Sequence, residues 1–260
     1  MKKRIYNILP HYYAPMCGEW SNDEEMTVSS HGVIYPYCNF HCAFCNNALH
    51  QMSEYTTYDE NEFVAAILEL SLRSKHFKFS GGEQTVNPFI RRDLEIVKEL
   101  DGFTFLDTNG SNPILMDELL ECGLIDVVGI SLKGLNPQDA VKTAGITSTC
   151  LCWQNVFCTL KLVAQRTGVR CIVTYVLKDG AGMAEIEKFA KLLLPYQNVV
   201  LKVNNLLHKQ HHQEGLVAWN KENFVDIMYS FVDRNPHWIG RVIGVPSTEA
   251  ITQYNSILFL

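Results

Sequence analysis

The sequence lacks any continuous run of 18 apolar residues and any excess of positive charge. Without such a run we expect no membrane-spanning helix, and a formal net charge of −6 gives no electrostatic footprint for nucleic acid. Low-complexity segments and repeats of fixed period are also absent. The basic start, Met1 to Arg4, is followed by Asn7, Pro10 and His11, so a signal peptide is not expected.

Cysteine is present but unevenly distributed. The nine cysteines are an odd number and show no regular framework of spacings. This usage is typical of a reducing compartment rather than of secretion, so we predict a cytoplasmic protein. Cys150, Cys152 and Cys158 are predicted to be core thiols, with a redox role for the first two as an open alternative.

One dense group of thiols stands out, formed by Cys38, Cys42 and Cys45 within eight residues. Three thiols cannot all pair as disulfides, whereas they suit a metal centre that keeps one coordination position open. A [4Fe–4S] cluster held by three cysteines is such a centre. A structural zinc site usually takes four protein ligands, and the local His41 lies inside the loop between two of the cysteines. A zinc-binding or buried cysteine cluster remains the alternative interpretation.

The length of 260 residues suits one large α/β domain or two small ones. Strand-like and helix-like segments alternate from residue 33, which predicts βαβ units and a parallel sheet. The predicted strands are 33–37, 78–80, 103–108, 127–132, 170–177 and 199–204, with a further one at 239–245. The predicted helices are 61–74, 88–100, 114–122, 153–167, 183–194 and 221–234.

About six βα units are too few for a complete eightfold barrel. We therefore predict an α/β fold with a parallel sheet, in the form of a partial (β/α)6 TIM-like barrel. Residues 1–260 are expected to form a single domain, in which 33–210 is the barrel core. Residues 1–32 precede it as an N-terminal lead with no predicted element, and residues 211–260 follow as a C-terminal extension.

Polar residues recur where the predicted strands end. Ligands of such folds gather at the carboxyl ends of the strands, so we expect one site there. In chain order these residues are Cys38, Cys42, Cys45, Gly81, Gly82, Glu83, Asp107, Asn109, Lys133 and His208. Three of them have plainer interpretations: Asp107 as a turn cap, Lys133 as a solvated strand end and His208 as an ordinary loop histidine.

The spacing of Cys38, Cys42 and Cys45, with an aromatic residue at Phe44, resembles the C-x3-C-x-aromatic-C signature of the radical S-adenosylmethionine (SAM) enzymes. The resemblance implies that the three cysteines hold a [4Fe–4S] cluster and that the amino and carboxylate groups of SAM chelate its open iron. It also implies that Phe44 packs on the adenine of SAM. A (β/α)6 core is known in this family.

Two further motifs extend the resemblance. Gly81-Gly82-Glu83 resembles the family's GGE motif, which implies contact with the SAM amino group. Leu106 to Gly110 resembles the LDTNG strand of the glycyl-radical-enzyme activases of the pyruvate formate-lyase type, which implies that Asp107 and Asn109 line the SAM site. Lys133 matches the lysine of the activases' DLK strand, and His208 falls in the region of their LLPYH-like stretch.

The chain also departs from the activases. No DGPG-R segment precedes its cysteines, Asn46 stands where the activases have histidine, Ser131 replaces the aspartate of DLK, and Thr174 replaces an arginine. These departures leave the implied SAM chemistry intact but put the substrate in doubt.

The resemblance implies reductive cleavage of SAM to a 5′-deoxyadenosyl radical that abstracts hydrogen from a substrate. The substrate is either a glycine Cα of a partner glycyl radical enzyme, or a peptide or small molecule. A non-catalytic Fe–S or zinc protein is the third hypothesis. The expected partners are a protein or peptide substrate and a reduced electron donor of the flavodoxin or ferredoxin type, with neither nucleic acid nor membrane.

Overall fold

The computed structural model describes residues 3–15, 27–45, 54–177, 182–206, 218–246 and 257–260. One sheet of ten strands runs through these residues, in the order β10-β9-β8-β7-β6-β5-β4-β2-β1-β3. The strands are β1 (Arg4–Pro15), β2 (Thr27–Tyr35), β3 (Thr56–Tyr58), β4 (His76–Gly81), β5 (Phe103–Thr108), β6 (Val127–Ser131), β7 (Arg170–Leu177), β8 (Val199–Asn205), β9 (Val242–Val245) and β10 (Leu258–Phe259).

Seven neighbouring strands, β2 and β4 to β9, pair in parallel. Antiparallel strands flank this core on both sides, because β1 pairs with β2 and with β3, and β10 pairs with β9. The sheet is open rather than closed on itself. The predicted α/β fold with a partial, TIM-like barrel is therefore confirmed, and the further strand at residues 239–245 appears as β9.

Seven α-helices lie in the described residues: α1 (Glu60–Ser71), α2 (Ile90–Glu99), α3 (Pro113–Glu121), α4 (Pro137–Ala144), α5 (Asn155–Ala164), α6 (Gly182–Leu193) and α7 (Lys221–Arg234). A π-helical turn, Cys150–Gln154, precedes α5. Asn112, Asn136 and Asn220 each cap a helix by accepting a backbone N–H with the side chain, which satisfies donors that have no partner in the first turn. In the described ranges no helix is long and apolar enough to cross a membrane.

Two elements near the site, β1 and α4, are not predicted from the sequence. The N-terminal lead contains all of β1 and residues 27–32 of β2, although no element is predicted there. Strand β1 is held by pairing with β2 and β3 and by a buried ion pair between Arg4 Nε and Asp93 Oδ1 at 3.0 Å. No local sequence pattern reveals these long-range contacts. Helix α4 is also missed, because its eight residues are too few for a clear helical period.

The two faces of the sheet differ in what they contact. One face packs against the helices, and its core includes Val128, Val173, Leu201 and Val203. Strand residues alternate between faces, so residues 105, 127, 172, 200 and 243 lie on the opposite face, where they form a separate apolar cluster that contains no helix residue. We call this second surface the inner face of the partial barrel.

Candidate active site

The loop that carries the three cysteines follows β2 and is anchored by the end of α4. The His41 N–H donates to the carbonyl of Ala144 at 2.8 Å. Gly145, the next residue, has φ +64°, and a Cβ atom there would lie 2.4 Å from the His41 oxygen. Phe40 is buried in an apolar cluster with Ala140, Ala144 and Cys152. The backbone between the first two cysteines is therefore held firmly against α4.

Two hydrogen-bond donors and one lysine beside the thiols stabilise a negatively charged sulfur, against the effect of burial. The Phe40 N–H donates to Cys38 Sγ at 3.4 Å, and Asn109 Nδ2 lies 3.9 Å from the same sulfur. Desolvation raises the pKa of Cys38 to about 11 and also raises the pKa of Cys42, while the nearby Lys133 acts to lower both. A bound metal ion deprotonates a coordinating thiol outright, so the donor set fits an Fe–S cluster in number and chemistry.

Within the described part of the chain, no group of three His, Cys, Asp or Glu side chains is arranged to hold a metal ion. What the structure does show is that the backbone of the cysteine loop is anchored, through the His41 N–H and the Ala144 carbonyl.

Gly81 and Gly82 permit a very close approach of two backbones. The Gly82 N–H donates to the Tyr35 carbonyl and the Glu83 N–H to the Tyr37 carbonyl, both at 2.7 Å. A Cβ at Gly82 would lie 1.9 Å from the Tyr37 oxygen, which excludes any side chain. The glycines thus place the turn after β4 against the chain that leads into Cys38, and contact with a ligand stays a prediction.

Glu83 is buried beneath the site, with 1% of its surface exposed. One carboxylate oxygen accepts from the Thr85 and Thr108 hydroxyls at 2.6 Å and from the Thr85 N–H at 3.2 Å. The other oxygen accepts the Asn109 N–H at 2.6 Å. Burial nevertheless raises the pKa of Glu83, against the effect of these bonds. The carboxylate therefore binds hydroxyl and backbone donors of the protein itself, and its contact with the SAM ammonium stays a prediction.

Asn109 connects the end of β5 to the cysteine loop. Its Nδ2 donates to Asn39 Oδ1 at 2.8 Å, and its Oδ1 accepts the Ser111 N–H at 2.9 Å. Asn39 in turn donates to the Ser111 hydroxyl at 2.9 Å. This network fixes Asn109 beside Cys38, as the sequence analysis expects for a residue of the site.

Asp107 lies on the inner face and is held by two residues of β4. Lys78 Nζ lies 3.0 Å from Asp107 Oδ2, and the Ser80 hydroxyl donates to the same oxygen at 2.7 Å. Gly129 makes room for the carboxylate, because a Cβ there would lie 2.4 Å from Asp107 Oδ1. Asp107 is therefore an ion-paired residue of the inner face rather than the turn cap of the plainer interpretation.

Lys133 and Phe44 meet beside the thiols. The Lys133 amino group lies 5.9 Å from the centre of the Phe44 ring, at the outer range of a cation–π contact. Phe44 is 9% exposed. Since Lys133 also acts on the pKa values of Cys38 and Cys42, the structure brings these four predicted positions together near the end of β6.

His208 lies outside the described residues, so its predicted role stays a prediction. The sequence analysis missed Asn39, Lys78 and Lys202, which the structure places at or near the site. For two of them, the sequence contains a pattern that could have identified them. Lys78 with Ser80, and Lys202 with Asn204, are polar residues at alternate positions of otherwise apolar strands, which places them on one face.

The model of the Radical SAM superfamily matches residues 33–193. The chain belongs to this superfamily. Radical SAM proteins are enzymes that use a [4Fe–4S] cluster and SAM, so both cofactors apply to this chain. No curated protein matches the chain by sequence.

Several solved structures share the fold. TYW1 with a bound lysine–pyruvate adduct is 18% identical with a TM-score of 0.55, over 78% of this chain and 73% of that one. Streptococcus suis SuiB bound to SAM is 18% identical with a TM-score of 0.60, over 82% of this chain and 49% of SuiB. A radical SAM methyltransferase from Sphaerobacter thermophilus is 16% identical with a TM-score of 0.58, over 84% and 65%. The chain thus spans about half the length of SuiB, and these identities establish the fold alone.

Proposed function

We propose that this radical SAM enzyme cleaves SAM at a cluster bound by Cys38, Cys42 and Cys45 and acts on a peptide or small-molecule substrate. One observation carries the proposal: the three cysteines share a single anchored loop, and Asn109 and Lys133 from the ends of β5 and β6 lie beside them. When bound, the cluster supplies the electron that splits SAM into methionine and a 5′-deoxyadenosyl radical, which abstracts hydrogen.

The chain's own residues prepare the loop for this chemistry. The Phe40 N–H and the Asn109 amide donate toward the Cys38 sulfur and stabilise its thiolate form. Lys133 adds a positive charge that partly offsets the charge of the thiolates. Cys38, Cys42 and Cys45 would hold the cluster, and the backbone contact between His41 and Ala144 keeps their loop in place.

The residues around the loop form the proposed SAM site. Its members are Phe44, Gly81, Gly82, Glu83, Asp107, Asn109, Lys133 and His208, as the motifs imply. Glu83 also has a positioning role in this proposal, because its bonds to Thr108 and Asn109 hold the end of β5 in place. Asp107 reaches SAM only from the inner face, where Lys78 fixes its carboxylate.

Two solved relatives support a peptide substrate. SuiB has been solved with its precursor peptide SuiA, and anSMEcpe with SAM and a peptide. The open sheet of this chain supports access for such a molecule. A second candidate, activation of a glycyl radical enzyme, is favoured by the LDTNG stretch at the end of β5. For either function we propose a reduced flavodoxin or ferredoxin as electron donor.

Deuterium transfer tests the substrate class. The reconstituted enzyme is incubated with SAM, reductant and candidate peptides that carry deuterium at backbone and side-chain carbons. Deuterium in 5′-deoxyadenosine supports a peptide substrate. If peptides give none, while a partner enzyme acquires a glycyl radical in its electron paramagnetic resonance spectrum, the activase function replaces the first proposal. If SAM is not cleaved with any reductant, the non-catalytic Fe–S alternative holds.

A further inference from the structure

Lys202 is a lysine on the inner face that neither the proposed cluster site nor the proposed SAM site uses. It lies on β8, where its neighbours Leu201 and Val203 pack into the helix-side core, so its side chain extends from the opposite face. Its register partners are Thr174 on β7 and Ile243 on β9. Lys202 is partly buried, and it makes no hydrogen bond or ion pair with any residue in the described ranges.

Among the described residues, the charged groups that act on Lys202 are Lys78 and Asp107, which already pair with each other at 3.0 Å. Within this part of the chain the three groups leave an excess of positive charge. Ser80 donates to the same carboxylate, and Lys78 also lies 4.3 Å from the centre of the Phe105 ring. Asp107 acts on both lysines, but within the described residues it forms an ion pair with Lys78 alone. Burial and the charge of Lys78 lower the pKa of Lys202 to about 8, against the opposing effect of Asp107.

An unpaired hydrogen-bond acceptor lies on the same face. Asn204 is two residues along β8, and its Oδ1 is buried without a hydrogen-bond partner among the residues that the structure describes. The adjacent Asn205 points to the other face, and its side-chain amide already has partners, because it donates to the carbonyls of Trp219 and Pro246. A buried acceptor without a donor costs free energy unless a ligand supplies one.

We propose that Lys202 and Asn204 form a substrate site for a carboxylate that has an N–H or O–H donor beside it. The carboxylate binds the Lys202 ammonium, and the neighbouring donor satisfies Asn204 Oδ1. This inference rests on the proposed function, for which it names the substrate class. The cysteine loop, Glu83, Asn109 and Lys133 follow β2, β4, β5 and β6, whereas Lys202 lies on β8, two strands beyond β6 in the sheet. We assign the carboxylate to the substrate, and SAM is included among the probes below to distinguish the two.

The charge of Lys202 can be followed without any turnover. The full chain is reductively methylated with ¹³C-formaldehyde and reconstituted with its oxidised cluster, and the dimethyl-lysine signals are titrated by NMR. Lys202→Gln assigns the signal by its loss, and the exposed Lys142→Gln is the matched control. The probes are N-acetylglycine, which has a carboxylate beside an N–H, its neutral amide N-acetylglycinamide, and SAM.

We expect N-acetylglycine to raise the pKa of Lys202 by at least about one unit, because an adjacent anion favours the charged amine. N-acetylglycinamide and SAM should leave that pKa unchanged. In Asn204→Leu, N-acetylglycine should bind at least about fivefold more weakly, because its N–H loses the amide acceptor.

Three results overturn the proposal. One is an unchanged Lys202 pKa with N-acetylglycine, the second is an equal rise with SAM alone, and the third is unchanged N-acetylglycine affinity in Asn204→Leu. SAM cleavage to 5′-deoxyadenosine is measured separately, on reconstituted chain that has not been methylated. If the chain cleaves SAM but N-acetylglycine does not shift the pKa of Lys202, the substrate site alone is rejected. If the chain does not cleave SAM, the proposed function itself is rejected.

Discussion

The carboxylate of Glu83 accepts the backbone N–H of Asn109 at 2.6 Å, which joins the turn after β4 to the end of β5. The Asn109 side chain then donates to Asn39 at 2.8 Å, inside the cysteine loop. Segments that follow three parallel strands are thus connected by two hydrogen bonds. This arrangement makes Glu83 a support for the cysteine loop.

Glu83→Gln tests that support. Glutamine keeps the shape but replaces one acceptor oxygen with an NH₂ group that faces backbone or hydroxyl donors, so we expect a loss of unfolding free energy of about 1–3 kcal/mol. SAM affinity should fall in the reconstituted protein, while iron content stays near four per chain. Urea unfolding and equilibrium SAM binding measure the two effects. Glu118→Gln, on an exposed face of α3, is the control, and equal stability of both variants would contradict the role given to Glu83.

Gly82→Ala should disrupt the approach to Cys38. The added methyl group would lie 1.9 Å from the Tyr37 oxygen, and backbone cannot yield as a flexible side chain does. We expect poor cluster incorporation, measured as iron and sulfide per chain after anaerobic reconstitution. Gly123→Ala is the control for backbone strain without a clash. Gly123 has φ +64°, which strains an alanine, but an added Cβ would have no atom within 4 Å. Normal iron content in Gly82→Ala would show that the close contact is dispensable.

Cys42→Ala should abolish cluster binding, because the cluster would keep only two of its three thiolate ligands. Iron content and the visible absorbance of the reconstituted protein report the loss. The matched control is Cys122→Ala, which removes an exposed thiol after α3, far along the chain from the cysteine loop. A variant that retains both the full iron content and SAM cleavage would reject Cys42 as a ligand.

The pH dependence of stability should change when Lys202 is replaced. Its pKa of about 8 lies below its ordinary value of 10.5. The cost of burying the charge is present below pH 8 and disappears as the pH rises to about 10.5, because the folded chain releases the proton first. Lys202→Met should therefore stabilise the protein at pH 7 by ~2 kcal/mol, and less at pH 10.

Urea unfolding of Lys202→Met and the wild-type chain at pH 7 and pH 10 checks this expectation. Lys142→Met, an exposed position on α4, should change stability little at either pH. An equal change at pH 7 and pH 10 for Lys202→Met would mean that the amine is not desolvated in the folded chain.

The sequence was most informative where spacing along the chain is itself the signal. Cys38, Cys42 and Cys45 needed no fold to be recognised, and alternation of strands and helices was enough to predict the partial barrel. The sequence could not show that the Glu83 carboxylate accepts hydrogen bonds from Thr108 and Asn109, because these residues are more than 20 positions away along the chain. The pairing of Lys78 with Asp107 likewise depends on the register between β4 and β5.

The lead was unpredictable for a similar reason. β1 contains Pro10 and a register shift between Leu9 and Tyr12, which break the alternating pattern that marks a strand. Its position depends instead on pairing with β2 and on the contact of Arg4 with Asp93, which is 89 residues away.

Reductive cleavage of SAM is the most direct test of the central claim. The anaerobically reconstituted chain is mixed with SAM and dithionite, and 5′-deoxyadenosine and methionine are quantified by liquid chromatography and mass spectrometry. We predict that both products form in equal amounts, that they depend on reductant, and that they are absent in Cys42→Ala but present in Cys122→Ala. A wild-type chain that binds about four irons and yet forms no 5′-deoxyadenosine would contradict the account.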